Sequence, residues 1–376
     1  MDIIYLDNSA TTRIKTEVLN EMMPYLTTEY GNASSLYSVG RKAKKAIENS
    51  RRQVADLINC DPHEIYFTGS GSESDNTALK GFAYANKEKG NHIITSKIEH
   101  HAILESCETL ERQGFEISYI GVDENGKVDL EELKKAIKPT TILISIMSAN
   151  NEIGTIQPIE QIAKIAHDKK IIFHTDAVQA IGNMPIDVQK MQIDMLSLSG
   201  HKINAPKGIG ALYIKKEVQV EKYINGGHQE RNQRAGTENV SGIVGLGKAC
   251  EIANKNMTTH IRYLSKLRDY YLMKLQKEMQ GIYRINGGIE NRLPGNANVS
   301  FKGINASELI FKLDEKGICV SSGSACSSGN VEPSHVLTAI NLPKEYLNSA
   351  IRTTFGDNNT FEQIDYLINC LKKLIK

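Results

Sequence analysis

The sequence predicts an α/β protein: a large unit built on a mostly parallel mixed sheet flanked by helices, joined to a smaller α+β unit. Three observations carry this. Short apolar runs alternate with amphipathic stretches through the first two thirds of the chain, the pattern of repeated βαβ units. That pattern changes near residue 255. The 376 residues exceed what one simple core accommodates, so a second unit is expected.

The elements follow in order. EIYFT (64–68), NHIITS (91–96), ISYIGV (117–122), TILISIMS (141–148), KIIFHTD (170–176) and DMLSLS (194–199) have the length and apolar density of buried parallel strands. Between them, Asp129 to Ile137 and Ile159 to His167 have helical spacing. A long helix is expected from about Thr258 to Met279, with Ile261, Leu264, Leu267, Tyr271, Leu275 and Met279 near one face. Beyond it come the Gly/Asn/Pro-rich NGGIENRLPGNAN, a strand-like NVSFKG, a helix from Ser307 to Glu315 and a last helix from Phe361. The expected division is a large domain over 15–255 and a small domain made of 1–14 with 256–376.

Lys plus Arg number 45 and Asp plus Glu 44, so the near-neutral chain has no electrostatic case for nucleic acid or an anionic membrane as its main partner. The basic stretch around Arg41 to Arg52 fits the solvated face of a helix; a docking patch for an acidic partner is the sharper alternative. MDIIYLDNSATT lacks the features of a signal peptide, and TILISIM is too short to span a bilayer. Six cysteines at 60, 107, 250, 319, 326 and 370 contain no C-x-x-C pair, which argues against zinc and a disulfide framework and for a reduced, cytoplasmic setting.

In a parallel sheet, ligands sit beyond the carboxyl ends of the strands, so those ends are where chemistry is sought. One apolar strand ends in Asp176, with Gln179 three residues on; such a carboxylate caps a helix as readily as it holds a ligand. The next strand ends in Ser199-Gly200-His201-Lys202. A lysine there can form a Schiff base once its amine is partly desolvated. Pyridoxal 5′-phosphate chemistry needs that lysine and an acid that keeps the pyridine nitrogen protonated. Gly69 to Ser74, between a strand and an Ala/Leu-rich helix, has the glycines and helix start of a phosphate cradle, with a plain Gly/Ser turn as the alternative. His100 and His101 follow the strand at 91–96, and adjacent imidazoles cannot both face one ligand. Asn150-Asn151-Glu152 ends another strand with amides suited to a ring hydroxyl or a carboxylate. Arg352, in AIRTTFG, could pair bidentately with a substrate carboxylate or serve a structural ion pair. Cys326 lies in VSSGSACSSGN, whose Ser, Gly and Ala cannot build a core; a mobile loop carrying an accessible thiol is expected.

YLDNSATT, EHHA, NNEIG, HTDAVQA, SLSGHK, PKGIGALY, RAGTENV and SSGSAC occur in one order along nearly the whole chain. In these the sequence resembles the NifS/IscS-type cysteine desulfurases of the class V aminotransferase fold group, and SSGSAC resembles the members with the longer, mobile cysteine loop. The resemblance implies the type I fold of PLP-dependent transferases, with Lys202 holding the cofactor as a Schiff base and moving the substrate's α-proton. It implies Asp176 on the pyridine nitrogen, Gln179 and Asn151 at the ring oxygen, and His100 as a catalytic residue that stacks on the ring and serves as an acid/base. Gly71, Ser72, Ser199 and His201 would hold the phosphate, with Thr237 reaching the other subunit's phosphate in a homodimer. Arg352 and Asn151 would bind the carboxylate of L-cysteine, and Cys326 would take its sulfur as a persulfide, leaving alanine. No metal is implied. An IscU/NifU-type scaffold or a tRNA-thiolation enzyme would receive the sulfur.

Two departures stand out. Ala205 occupies a position before Pro-Lys-Gly where a glycine is common, and the chain stops soon after its last helix, where relatives that dock an IscU-type scaffold often carry a longer tail. The alternative reading is another class V PLP enzyme, a selenocysteine lyase or an aminotransferase. The SSGSAC loop counts against a plain aminotransferase, which needs no such thiol.

Overall fold

The computed structural model describes residues 3–322 and 333–375. Among the described residues, twelve strands form three sheets: β1 (Ile4–Tyr5), β2 (Ile65–Thr68), β3 (His92–Ser96), β4 (Glu116–Ile120), β5 (Thr141–Ser145), β6 (Ile172–Asp176), β7 (Met195–Ser199), β8 (Gly210–Ile214), β9 (Tyr283–Ile285), β10 (Asn296–Phe301), β11 (Ile318–Cys319) and β12 (Ala350–Thr354). The large sheet has the order β2-β8-β7-β6-β5-β3-β4. Only β8 runs against its neighbours, in register with β7 from Met195↔Ile214 to Ser199↔Gly210 and with β2 on its other side. The six expected strands therefore form, all parallel to one another. β8 was not anticipated as a strand: KGIGALYI opens on two glycines, and antiparallel pairing is decided by the neighbours it finds rather than by its own composition.

Each strand of this sheet feeds two cores. Ile94, Ile144, Phe173, Leu196 and Leu198 enter one, while Ile93, Leu143, Met195, Leu212 and Ile214 enter the other, as the twofold alternation of a strand requires. A separate core joins Leu6, Val299, Phe301, Leu309, Ile351 and Leu367 around the three-stranded sheet β12-β10-β9. The N-terminal strand β1 pairs with β11 beside it.

The long helix differs from expectation in its start. It runs unbroken over Val240–Glu278, capped by Asn239, whose side chain accepts from Gly242 N at 3.1 Å. Gly242, Gly245 and Gly247 lower the helical propensity of its first half, yet two of them are needed for close packing. A Cβ on Gly245 would stand 2.7 Å from Met22 Sδ, and one on Gly247 would stand 2.6 Å from Ser50 Cα. The helices Thr16–Thr27 and Ser38–Ile58 can approach only because these side chains are missing. The same long helix sends Ile243, Leu246, Ala249 and Cys250 into the first core and Leu264, Leu267, Tyr271 and Leu275 into that of the three-stranded sheet.

Gly247→Val should therefore cost about 1–3 kcal/mol through overpacking against backbone atoms, and a denaturant titration should show the lowered midpoint.

Candidate active site

β6 and β7 are adjacent and parallel, with Asp176 opposite Ser197. Their carboxyl ends deliver Asp176 and, after Ser199, the turn Gly200–Lys202. Asp176 is buried and accepts a hydrogen bond from Val178 N at 2.9 Å. Burial pushes its carboxyl up to about 6, while the Val178 N–H and the Lys202 charge pull the other way. The amine of Lys202 donates to the carbonyls of Ser9 and Ala10, the latter at 2.8 Å. Gln179 Nε2 donates to the same Ser9 carbonyl at 3.0 Å, so Gln179 and Lys202 meet on one backbone atom.

His100 caps the helix His101–Glu111 with its own ring: Nδ1 accepts from Ala102 N at 3.1 Å. In the neutral imidazole that assignment leaves the hydrogen on Nε2, making it a donor. Desolvation, helped by Lys202, His101 and His335, lowers its pKa to about 4, so it is neutral at pH 7. His101 turns elsewhere, its ring 4.9 Å from that of His335.

The helix Gly71–Asn76 begins beside the end of β7. A Cβ on Gly71 would meet Val178 Cγ2 at 2.7 Å and Ser199 Cβ at 3.3 Å, which fixes glycine there and sets the helix start against Ser199. Ser72 is exposed in the first turn. Ser70 caps it, accepting from Glu73 N at 3.1 Å. Glu73 would oppose an anion at this end, but Arg234 neutralises it through bonds of 2.8 and 3.2 Å. His201, half-buried, contacts Thr11 Oγ1 at 3.2 Å through Nδ1, and burial and Lys202 lower its pKa to about 4.

Arg352 is buried and pairs with Asp7 Oδ1 at 2.7 Å while donating to Asn151 O at 3.1 Å. The structure thus joins Arg352 to Asn151. Thr237 is exposed and has no recorded bond to any other candidate residue. Cys326 lies outside the described residues. Of the residues flanking that stretch, Ser321 forms a bridge with Arg352, and Ser334 Oγ donates to the buried Glu152 at 2.6 Å. The thiols of Cys60, Cys107, Cys250 and Cys319 are all held above their ordinary pKa by burial, so none is primed as a thiolate.

Residues 7–12 were not assigned a role from sequence, yet they supply Lys202, His201 and Arg352 with partners. The only signal was their place in the DNSATT motif. A cavity of about 300 Å³ is lined by Asn8, Ser9, Gln179, Lys202, His260 and Thr354, among others. It shares Lys202 and Gln179 with the site, but none of Gly71, Ser199, His100 or Asp176. The cavity thus meets the candidate residues only on the side of Lys202 and Gln179.

The aminotransferase class-V family model matches residues 4–367. The protein named cysteine desulfurase IscS of Methanosarcina thermophila is 51% identical over 373 residues, covering 99% of this chain and 92% of the relative. A solved structure titled NifS-like protein superposes with a TM-score of 0.94 at 38% identity, covering 99% of each chain. Another, titled SspA in complex with cysteine, gives 0.83 at 37% identity over 95% of this chain and 100% of the other. With its lysine, buried aspartate and glycine-led helix set on the ends of one parallel sheet, the chain belongs to the class-V aminotransferase family.

Proposed function

We propose that the chain is a pyridoxal-phosphate-dependent cysteine desulfurase, which removes sulfur from L-cysteine and leaves L-alanine. The observation that carries this is the placement of Lys202 and the buried Asp176 at adjacent strand ends, with a neutral His100 close enough to feel the lysine's charge. The relatives named cysteine desulfurase and the neighbour titled as a cysteine complex support the substrate.

The donor set fits the cofactor. An amine suits its aldehyde, a buried carboxylate suits its pyridine nitrogen, and a glycine-led helix start with Ser72, Ser199 and His201 suits its phosphate. Bound there, the cofactor supplies an electron sink for the substrate's α-carbon.

The chain's own residues do the rest. Lys202 holds the cofactor and moves the α-proton. Asp176 would keep a proton on the ring nitrogen, and Gln179 and Asn151 would hold the ring oxygen. Gly71 would contribute backbone to the phosphate cradle. His100 would stack on the ring and offer Nε2–H as a donor. Arg352, with Asn151, binds the substrate carboxylate; its charge is already balanced by Asp7, which lowers the cost of burying it before substrate arrives. Cys326 receives the sulfur: the C–S bond of cysteine breaks and an S–S bond forms at the Cys326 thiolate. The persulfide then passes to an acceptor protein, an IscU/NifU-type scaffold or a tRNA-thiolation enzyme, in a cytoplasmic setting.

The same reading makes the active unit a homodimer in which Thr237 reaches the partner's phosphate. Two features support this: Thr237 is exposed, and Leu19, Met23, Leu26, Tyr30, Leu36 and Tyr37 present apolar surface to solvent. It also divides the chain into 15–255 and 1–14 with 256–376, supported by the separate cores that the long helix joins.

Three outcomes test the proposal. Wild-type protein with L-cysteine and a thiol reductant should release alanine; Cys326→Ala should fall to a small fraction of that rate while keeping the cofactor's visible absorbance. No alanine from a wild type that still holds the cofactor on Lys202 would remove the desulfurase assignment. Cofactor retention should weaken as pH falls below about 6, by up to about tenfold per unit, because Asp176 must lose its proton to pair with the ring nitrogen. Equilibrium dialysis of wild type against Asp176→Asn should show that pH dependence only in the wild type. Light scattering should give twice the chain mass, and Thr237→Val should weaken cofactor retention without dissociating the dimer.

A further inference from the structure

One face of the large sheet changes character along its strands. Leu143, Ile172 and Met195 begin it on β5, β6 and β7, packed in an apolar core. Two and four residues further on, the same face carries Ser145, His174, Asp176, Ser197 and Ser199. All five are buried. The helix Gly71–Asn76 covers this polar half, its register set by two matched steps. Gly71 abuts Ser199, and Asp75, one helical turn on, reaches Ser197, two residues back along the strand. Four helical residues rise about 6 Å and two strand residues about 6.6 Å, so the two steps coincide.

Asp75 is 1% exposed. Its Oδ1 has no hydrogen-bond partner among the described residues. The group nearest that oxygen in charge terms is His174 Nε2, at 3.9 Å. That is too far for a hydrogen bond. The His174 ring is already held between Ser145 Oγ at 2.9 Å and Ser197 Oγ at 3.0 Å. Burial lowers its pKa to about 3, so it brings no positive charge. The other titratable groups facing this pocket are acids, Asp176 on β6 and Glu99 after β3. Lys202 acts on Asp176, and among the described residues no cation is paired with Asp75. Two buried carboxylates cannot both stay charged beside one amine, because each uncompensated charge costs several kcal/mol. The one with the lysine and a backbone N–H keeps the charge; the other keeps the proton.

We propose that Asp75 is a positioning residue for the cofactor site, held as a neutral carboxylic acid behind Asp176 so that the single negative charge beneath the ring rests on Asp176. Its purpose depends on the cofactor assignment above; its protonation does not. Burial and the neighbouring Asp176 both drive the Asp75 carboxyl in the same direction, well above its ordinary value. Asp75 and Ser197 then form a neutral polar shell that solvates the charged Asp176, which an apolar side chain could not do.

The test uses the full-length protein, with and without pyridoxal phosphate. Infrared difference spectra of wild type minus Asp75→Asn should show the carbonyl stretch of a protonated carboxylic acid, unchanged from about pH 6 to about pH 8. The contribution of Glu99 cancels in that difference. A spectrum without the band overturns the proposal, whether or not the protein binds the cofactor, so this failure is separable from failure of the functional assignment. The second readout is the pH at which the holoenzyme loses its cofactor absorbance. Asp75→Asn, neutral and polar, should stay within a few tenths of a unit of wild type, and Asp75→Leu should move that threshold up by about one unit or more as Asp176 loses solvation. A downward shift of about one unit in Asp75→Asn would mean that Asp75 is charged, and an unshifted, folded Asp75→Leu would mean that it positions nothing; either result overturns the proposal. If Asp75→Leu does not fold by circular dichroism, the infrared band and the Asp75→Asn threshold decide.

Discussion

The site depends on the crossing of residues 7–12 between two cores. Leu6 is sealed in the core of the three-stranded sheet, and Thr354 there accepts from Ser9 N at 2.9 Å. Three residues later, Thr12 N and Oγ1 both donate to the His201 carbonyl on the large sheet, at 2.9 and 2.8 Å. Between these anchors, the carbonyls of Ser9 and Ala10 receive the Lys202 amine. A buried amine without such acceptors would carry the full cost of desolvation. The first dozen residues thus set where the lysine rests and, through Asp7, where Arg352 rests.

Much of the fold and part of the site were legible in the sequence, and the division has physical causes. Asp176 and Lys202 could be located because each closes or follows a short apolar run of the kind a buried strand requires. The first half of the long helix could not be seen, because its glycines answer to Met22 and Ser50, residues far away in sequence. β8 was hidden for a similar reason: its direction is set by β2 and β7. Asp75 follows the Gly69 to Ser74 turn with nothing in the sequence to single it out. Its burial emerges only when the turn of the helix is laid against the alternation of β7. Arg352 was ambiguous between a substrate ligand and an ion pair because both uses set a guanidinium against a carboxylate; in the structure it pairs with Asp7.

The buried acids share one logic. Glu99 accepts from Ser96 Oγ at 2.6 Å and from Met147 N at 3.0 Å through both oxygens, and burial still pushes its pKa up to about 8. Glu152, also raised by burial, is held by Ser334. These side chains cross-link strand ends and loops as hydrogen-bonding groups more than as charges. Acids and imidazoles held in hydrogen bonds stiffen the floor of the site, and burial disfavours their charged forms, which is how a polar interior avoids the cost of many buried ions.

The helix Val240–Glu278 is about 58 Å long at the usual rise, a beam clamped at both ends by buried side chains. Between Cys250 and Leu264 no residue of it is buried. In that span Ile252, Ala253, Asn256, Thr259, His260 and Tyr263 form a wall of the 300 Å³ cavity beside Lys202. Such a void beside the Lys202 amine is a reservoir of compressible volume, and hydrostatic pressure, which favours states with less internal void, would act on it.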